Sequence, residues 1–303
     1  MLIGTAKEKS PPPADLRADD PAYVAIRDLI YKISGIYHSE QKLYLLVSSC
    51  KRRFQATNVA TPAQYLDQIT KGPNRDPELR LLLNEITIGE TYMFRHPAQF
   101  DALRDVILPE VMAAKAKIGI KRLRFWSAGC STGEEPYTLA MFLLEAKEKF
   151  LAGWNFDIVA TDLNSRSLET ACAGVYGEYA LRNVNEGMRR KYFKPTPDGN
   201  LEAGSLLKSL IRFDRVNLSD DSKMVFLKGI DVIFCCNVLI YFDLASKRRV
   251  VQHFYANLTP GGYLFLGHAE SLFHVDETFH LVHFPGTAGY LKPFGPPAAG
   301  GKL

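Results

Sequence analysis

Long apolar runs, paired cysteines and a strong excess of either charge are all missing from this 303-residue chain. No stretch approaches the ~20 consecutive apolar residues of a membrane-crossing helix. The opening Met1-Leu2-Ile3-Gly4-Thr5 lacks the apolar core of a secretory leader. Five cysteines (Cys50, Cys130, Cys172, Cys235, Cys236) are odd in number and show no metal-ligand spacing. They are expected to be buried free thiols of a cytoplasmic protein. Lys and Arg total 37 against 33 acids, a net charge of +4. That balance, with no aromatic-basic stretch, disfavours nucleic acid but is compatible with an acidic protein partner. His268, His274, His280 and His283 cluster late, without acid or thiol at ligand spacing, so no metal site is expected. A hydrophobic content of 47% is enough for one sizeable core and a smaller domain.

Residues 1–20, with Ser10-Pro11-Pro12-Pro13, read as a flexible leader, and the Gly/Pro/Ala-rich 294–303 as a disordered tail. Residues 21–88 read as a small all-helical domain of about four helices. The first stops at Gly35, the second runs from His38-Ser39-Glu40 to Lys51-Arg52-Arg53, Thr61-Pro62 caps the third, and Pro77 opens the fourth. Lys51, Arg52 and Arg53 have two readings: cations at a helix C-terminus, or a positive face for recognising an acidic substrate protein. Within 89–293 a helix spans Gln99–Leu108 and Pro109 opens another; strands and helices then alternate. Strands are expected at 122–127, 156–162, 211–218, 230–237 and 263–267, and helices at 165–173 and 246–258, with a turn at Pro260-Gly261-Gly262. This is the pattern of a mostly parallel doubly wound sheet, whose ligand sits at the carboxyl ends of the strands. Residues 176–210 break the rhythm. Asp198-Gly199 is a hairpin signal, and the segment reads as an inserted small antiparallel β-subdomain, although helical Leu206-Leu207-Lys208 also suits a long surface excursion.

The chain is organised around Arg124-Phe125-Trp126-Ser127-Ala128-Gly129-Cys130-Ser131-Thr132-Gly133-Glu134-Glu135-Pro136-Tyr137. This is a strand, a small-residue turn whose backbone at Ala128 and Gly129 can touch a ligand, and a helix opened by two acids and proline. A dinucleotide turn offers bare N–H groups to a pyrophosphate. Two carboxylates there would repel phosphate and favour a cation, and S-adenosylmethionine carries an ammonium, a sulfonium and no phosphate. Asp162, at the end of the next strand, can accept ribose hydroxyls, or merely cap the helix that follows. Asn217-Leu218 ends a third strand and suits adenine; Asn237 to Tyr241 follow the fourth, where cofactor and substrate meet.

Phe234-Cys235-Cys236-Asn237-Val238-Leu239-Ile240-Tyr241-Phe242-Asp243 resembles the signature segment of the CheR family, the chemotaxis-receptor glutamate methyltransferases. Trp126 to Tyr137, Gly89-Glu90-Thr91-Tyr92-Met93-Phe94-Arg95, Ala160-Thr161-Asp162, Val216-Asn217-Leu218 and Gly262 to His268 are similarly close and fall in order. The resemblance implies a Rossmann-like S-adenosylmethionine-dependent methyltransferase domain, S-adenosylhomocysteine as product, and glutamates on the cytoplasmic helices of a chemoreceptor as acceptors. It implies Thr91 and Arg95 beside the donor, Glu134 on the methionine ammonium, Asp162 on the ribose, Asn217 and Leu218 on adenine, and Asn237 and Tyr241 on the reaction side. Arg95 and Tyr241 are then the catalytic candidates, as positioners of an acceptor carboxylate that is already ionised. As plain alternatives, Arg95 makes a structural ion pair and Tyr241 is a core aromatic beside Ile240 and Phe242. A monomer without membrane insertion is expected. Two positions depart from the family: Cys236 stands where arginine is common, and Gly89 where some members have asparagine. Cys236 keeps open an alternative, a donor-binding regulatory protein of this fold with weak or no transfer.

Overall fold

A computed structural model of the chain describes residues 20–87, 89–224 and 227–295. The expected leader and tail lie outside the described residues, apart from Asp20, Phe294 and Gly295. The chain divides into two compact units, one holding the residues up to Tyr31 with His38–Ile86, the other Lys32–Tyr37 with the residues from Thr87 onward.

The first unit is built from α1 (Pro21–Ser34, whose last turn passes into the second unit), α2 (Leu43–Thr57), α3 (Pro62–Lys71) and α4 (Arg75–Ile86). Thr61 caps α3, its hydroxyl accepting from Gln64 N as the Thr-Pro pair predicts. Ile26, Leu46, Cys50, Tyr65 and Leu82 are fully buried in its core. The second helix overruns its expected end. It continues four residues past Arg53 to Thr57, stopped by Asn58 in the left-handed conformation (φ 54°). Lys51, Arg52 and Arg53 are therefore mid-helix, and the reading that places them at a helix C-terminus is corrected. Phe54 is the physical reason: it packs against Tyr23 and Tyr65, which extends the buried face beyond the cations.

The second unit carries α5 (Pro97–Ala102), α6 (Leu108–Ala116), β1 (Arg122–Ala128), α7 (Glu134–Lys149), β2 (Asn155–Asp162) and α8 (Ser165–Ala173). The insertion follows, with β3 (Val175–Tyr176), α9 (Glu178–Leu181), α10 (Glu186–Tyr192), β4 (Phe193–Pro195), β5 (Leu201–Ala203) and α11 (Ser205–Ser209). The unit closes with β6 (Ile211–Arg215), α12 (Asp221–Met224), β7 (Ile230–Cys235), α13 (Leu244–Asn257), β8 (Leu258–Leu266), β9 (His280–Phe284) and β10 (Thr287–Leu291). Its seven-stranded sheet runs β6-β2-β1-β7-β8-β10-β9, parallel through β8 and antiparallel at the β10 and β9 edge. Strand order reverses between β1 and β7, which makes their carboxyl ends the topological switch point.

Side chains alternate across this sheet. Leu123, Phe125, Ile158, Val232, Phe234 and Phe265 face one core, while Trp126, Val159, Ile233 and Leu264 face the other with Val250 and Phe254 of α13. β7 is buried on both faces in that arrangement, and its one charged residue, Asp231, accepts from Lys115 Nζ and Arg124 N.

Three local expectations are corrected. Pro109 does not open a new helix: a π-helical turn, Leu103–Ile107, joins α5 to α6 without a break and accommodates the N–H that proline lacks. Pro260-Gly261-Gly262 lies inside β8, where an irregularity in the β7 pairing and a positive φ at Gly261 absorb three extra residues. The late β9–β10 hairpin, absent from the sequence reading, completes the sheet edge. In the insertion β3-β5-β4 form the antiparallel sheet and Gly199 (φ 79°) turns the β4–β5 hairpin, while Leu206-Leu207-Lys208 form α11 alongside it.

Candidate active site

The β1–α7 turn packs so tightly that side chains are excluded at two points. A Cβ on Gly129 (φ 80°) would meet Val238 Cγ2 at 2.4 Å, and one on Gly133 (φ 95°) would meet Ala171 Cβ and the Tyr176 hydroxyl at 2.8 Å. Gly129 N and Cys130 N donate to the Thr161 carbonyl, which ties the turn to β2. Ser131 adopts a positive φ (49°) while its N–H donates to Asp162 Oδ2 at 2.8 Å. Its hydroxyl is buried with no hydrogen-bond partner among the described residues.

Glu134 and Glu135 diverge. Glu134 follows Gly133 as the first residue of α7, is buried, and accepts from Thr132 Oγ1 at 2.7 Å. Burial raises its carboxyl pKa, against that hydrogen bond. Glu135 accepts from Ser127 Oγ at 2.6 Å. Burial pushes it up to about 7, against hydrogen bonds from Ser127 and Cys236 and the charge of Arg95. Burial thus raises both acids above the usual carboxylate range. Cys236, also bonded to Gln99 Oε1 (3.5 Å), gives Glu135 a thiol partner.

Asp162 ends β2 with one oxygen on Ser131 N and the other on Asn164 N, both at 2.8 Å, and burial raises its pKa despite them. It fixes the turn and starts α8 while keeping further lone pairs. Asn217 is more fully committed: its amide donates to the Ile33 carbonyl at 2.6 Å and its Oδ1 accepts from Ser219 N. Leu218 is buried in the core cluster of α13. These bonds turn the Asn217 amide to the protein's own backbone, so any adenine contact there falls to main-chain atoms.

Thr91 and Arg95 lie on a loop pinned by Met93 N to the Ala180 carbonyl and by Phe94 N to Thr138 Oγ1 on α7. Gly89 begins it, and a Cβ there would meet Ser131 Oγ at 2.5 Å, which gives that departure a packing reason in this chain. Arg95 donates to the Glu90 carbonyl at 2.8 Å, and its charge acts on Glu135, His96 and Tyr241. His96 Nε2 lies 3.3 Å from Asn237 Oδ1. Tyr241 is half-buried in a 3₁₀ turn, Leu239–Tyr241; burial raises its hydroxyl pKa, against the pull of Arg95. Its neighbour Ile240 is exposed, so this turn is not the run of core residues that Ile240 and Phe242 suggest. The fold thus brings Arg95, Glu135, Asn237 and Tyr241 to the carboxyl ends of β1 and β7.

Residues 89–287 match the family description "CheR methyltransferase, SAM binding domain", and residues 21–87 "CheR methyltransferase, all-alpha domain". The chain belongs to the CheR methyltransferase family. Chemotaxis protein methyltransferase 2 of Vibrio cholerae is 33% identical over 274 residues, covering 90% of this chain and 93% of that protein. The chemotaxis protein methyltransferase of Vibrio parahaemolyticus is 36% identical over 264 residues, 85% and 92%. Chemotaxis protein methyltransferase 1 of Pseudomonas aeruginosa is 31% identical over 270 residues, 88% and 96%.

S-adenosylmethionine is accordingly the cofactor, and the chain is a Rossmann-like methyltransferase. The residues suit that molecule: the orphaned Ser131 hydroxyl and the desolvated Glu134 carboxyl are polar capacity that a hydroxylated, cationic ligand would satisfy. Other observations bear on the expectations for this CheR-family chain. Among the described residues no helix is long and apolar enough to cross a membrane, and no group of three or more His, Cys, Asp or Glu could hold a metal ion. The cysteines are free, but Cys172 is exposed and Cys236 half-buried, a correction to five buried thiols; Cys172 lies on the outer face of α8.

Within the first unit, Arg53 is bidentate on Glu78 (2.9 and 2.8 Å), whose Oε1 also accepts from Tyr65. Arg52 pairs with Glu85 at 2.6 Å and stays half-exposed. Arg53 is a core ion pair, and only Lys51 and Arg52 offer charge to a partner.

Sequence reasoning missed Glu270. It stands three residues beyond Gly267, and its carboxylate accepts from Asn237 N and Gly267 N at 2.7 Å and from Ile240 N at 3.2 Å. An acid just after a strand-end glycine was the available signal.

Proposed function

We propose that this protein methylates glutamate side chains on the cytoplasmic helices of a chemoreceptor, acting in the cytoplasm as an adaptation enzyme. The names of its relatives support the chemotaxis setting, and the chemistry of the cleft supports the acceptor. The observation that carries the reading is the nearness of Arg95 to Tyr241 at the end of β7, a cation and a hydroxyl donor that suit a carboxylate acceptor. A glutamate carboxylate needs no base, because its reference pKa of about 4.3 leaves it ionised near neutrality. Bound in the cleft, S-adenosylmethionine would supply a methyl carbon activated by its sulfonium.

Glu134 would hold the ammonium, backbone at Ala128 and Gly129 would line the methionine, and Asp162 would take the ribose. Main chain at Asn217 and Leu218 would face adenine, with Thr91 and Asn237 along the methionine side. Arg95 would guide the incoming carboxylate and Tyr241 orient it. Because the Glu90 carbonyl already engages Arg95, its hold on the acceptor stays moderate, which avoids overstabilising the reactant. Burial around Glu135 and Cys236 excludes water from a reaction in which opposite charges disappear.

The test is incubation of purified protein with methyl-labelled donor and cytoplasmic receptor fragments, followed by base treatment and mass spectrometry. Base-labile label on glutamates is expected. Donor binding without transfer to any cognate fragment would overturn the reading.

A further inference from the structure

Three large apolar side chains stand out in solvent around the reaction-side turn: Ile240 at 50% exposure, Leu244 at 48% and Phe273 at 77%. Hydrogen bonds draw them into one surface. Glu270 Oε1 accepts from Ile240 N, which fastens the loop after β8 to the turn that carries Tyr241. At its far side the same loop meets α13, where Arg248 Nη2 donates to the His274 carbonyl at 3.1 Å. Phe273 sits between those two anchors. The buried Leu272 holds it on one side through the Tyr290 hydroxyl, and on the other its ring rests on His274, 3.9 Å between centroids. His274 has a positive φ (59°), so the loop keeps a conformation that displays Phe273 at some backbone cost.

Charge completes the surface. Leu244, Lys247 and Arg248 are spaced i, i+3 and i+4 on α13 and so share a face. Arg249 points elsewhere, paired with Asp221 at 2.9 Å, whereas the partner of Arg248 is an uncharged carbonyl. Exposed aromatic and aliphatic groups beside two cations, adjoining a catalytic cleft, form a docking site rather than ordinary surface.

We infer that Ile240, Leu244 and Phe273, flanked by Lys247 and Arg248, receive an acidic amphipathic helix of the acceptor protein, laid so that its reacting glutamate reaches Tyr241. A helix bearing glutamates offers the complementary charge, and its small apolar positions complement the Phe273 ring. The inference rests on the acceptor reading above and extends it to a surface.

Steady-state methyl transfer to a receptor cytoplasmic fragment tests it, with Phe273→Ser plus Leu244→Ser in one variant and Arg248→Glu in another. The expected result is an acceptor KM raised about tenfold or more, with kcat at saturation and S-adenosylhomocysteine affinity within about twofold of wild type. Arg248→Glu should also flatten the dependence of KM on salt. Circular dichroism melts verify folding. Unchanged KM in both variants, with transfer intact, overturns the docking surface alone. Absence of a base-labile ester with wild type overturns the acceptor assignment itself. A wild-type dimer that the double variant dissolves, with KM unmoved, gives the patch to a second copy of the chain and overturns the inference.

Discussion

Glu270 Oε2 accepts the backbone N–H of Asn237 at 2.7 Å, and Asn237 holds a positive φ of 63°. The same oxygen takes Gly267 N, where a Cβ would come within 2.8 Å of both Asn237 N and the carboxylate. One acid thus fastens the ends of β7 and β8 and stabilises a left-handed residue where the sequence offers no glycine. Removing it leaves three N–H groups without their acceptor, at ~1–3 kcal/mol for each buried one. Glu270→Ala is expected to weaken S-adenosylhomocysteine binding and to lower kcat by about tenfold to a hundredfold. Glu270→Gln keeps one oxygen for two of the donors and should recover part of both. Calorimetry and single-turnover transfer measure the two effects.

Asp162 combines two duties, accepting Ser131 N and Asn164 N and presenting its remaining lone pairs at the end of β2. Asp162→Ala is expected to weaken S-adenosylhomocysteine affinity by tenfold or more, of the order of 1–3 kcal/mol. Asp162→Asn, which can still accept from one amide, should lose less. Unchanged calorimetric affinity in the alanine variant removes Asp162 from the ribose role.

The Glu135 carboxyl gives a pH-dependent stability with a definite sign. Its pKa rises from 4.5 to about 7 on folding, because burial disfavours the charged form. Below the unfolded value the group is neutral in both states and carries no penalty. Between 4.5 and 7 the unfolded state releases its proton while the folded state keeps it, so stability falls as pH rises and stays lower above 7. Glu135→Gln should therefore melt a few degrees above wild type at pH 8 and close to it at pH 5. Thermal melts at the two pH values decide it.

Cys236→Arg places a guanidinium against Glu135. The carboxyl should then ionise at lower pH, the wild-type fall in melting temperature between pH 5 and 8 should shrink, and donor affinity should rise. If neither changes, the Ser127, Cys236 and Gln99 contacts already compensate for the missing cation.

Arg53 and Lys51 should separate in their effects. The Arg53–Glu78 pair is nearly buried, with side-chain exposures of 11% and 6%. Arg53→Ala is expected to cost about 3 kcal/mol in denaturant unfolding of the first unit, since it strands a buried carboxylate. Lys51→Ala should leave stability within about 0.5 kcal/mol and act, if anywhere, on acceptor KM.

Local sequence determined the fold class and much of the chemistry. Strand propensity in Phe125-Trp126, the glycines of the 129–133 turn and the acids that open α7 are short-range signals, and they placed the turn between β1 and α7. Thr61-Pro62, Asn164 and the Asp198-Gly199 turn likewise act within a few residues of themselves. Tertiary structure alone decided the rest, because it depends on partners far apart in the chain. Arg53 became a core ion pair through Glu78, α2 continued to Thr57 because Phe54 found Tyr65, and the Asn217 amide turned to Ile33. Glu135 acquired its raised pKa from burial in the folded chain, against the hydrogen bonds of Ser127 and Cys236, and Glu270 became the anchor of Asn237 across 33 residues. A residue type states which bonds it can make; only the folded chain determines which partner comes within reach and how much water is left between them.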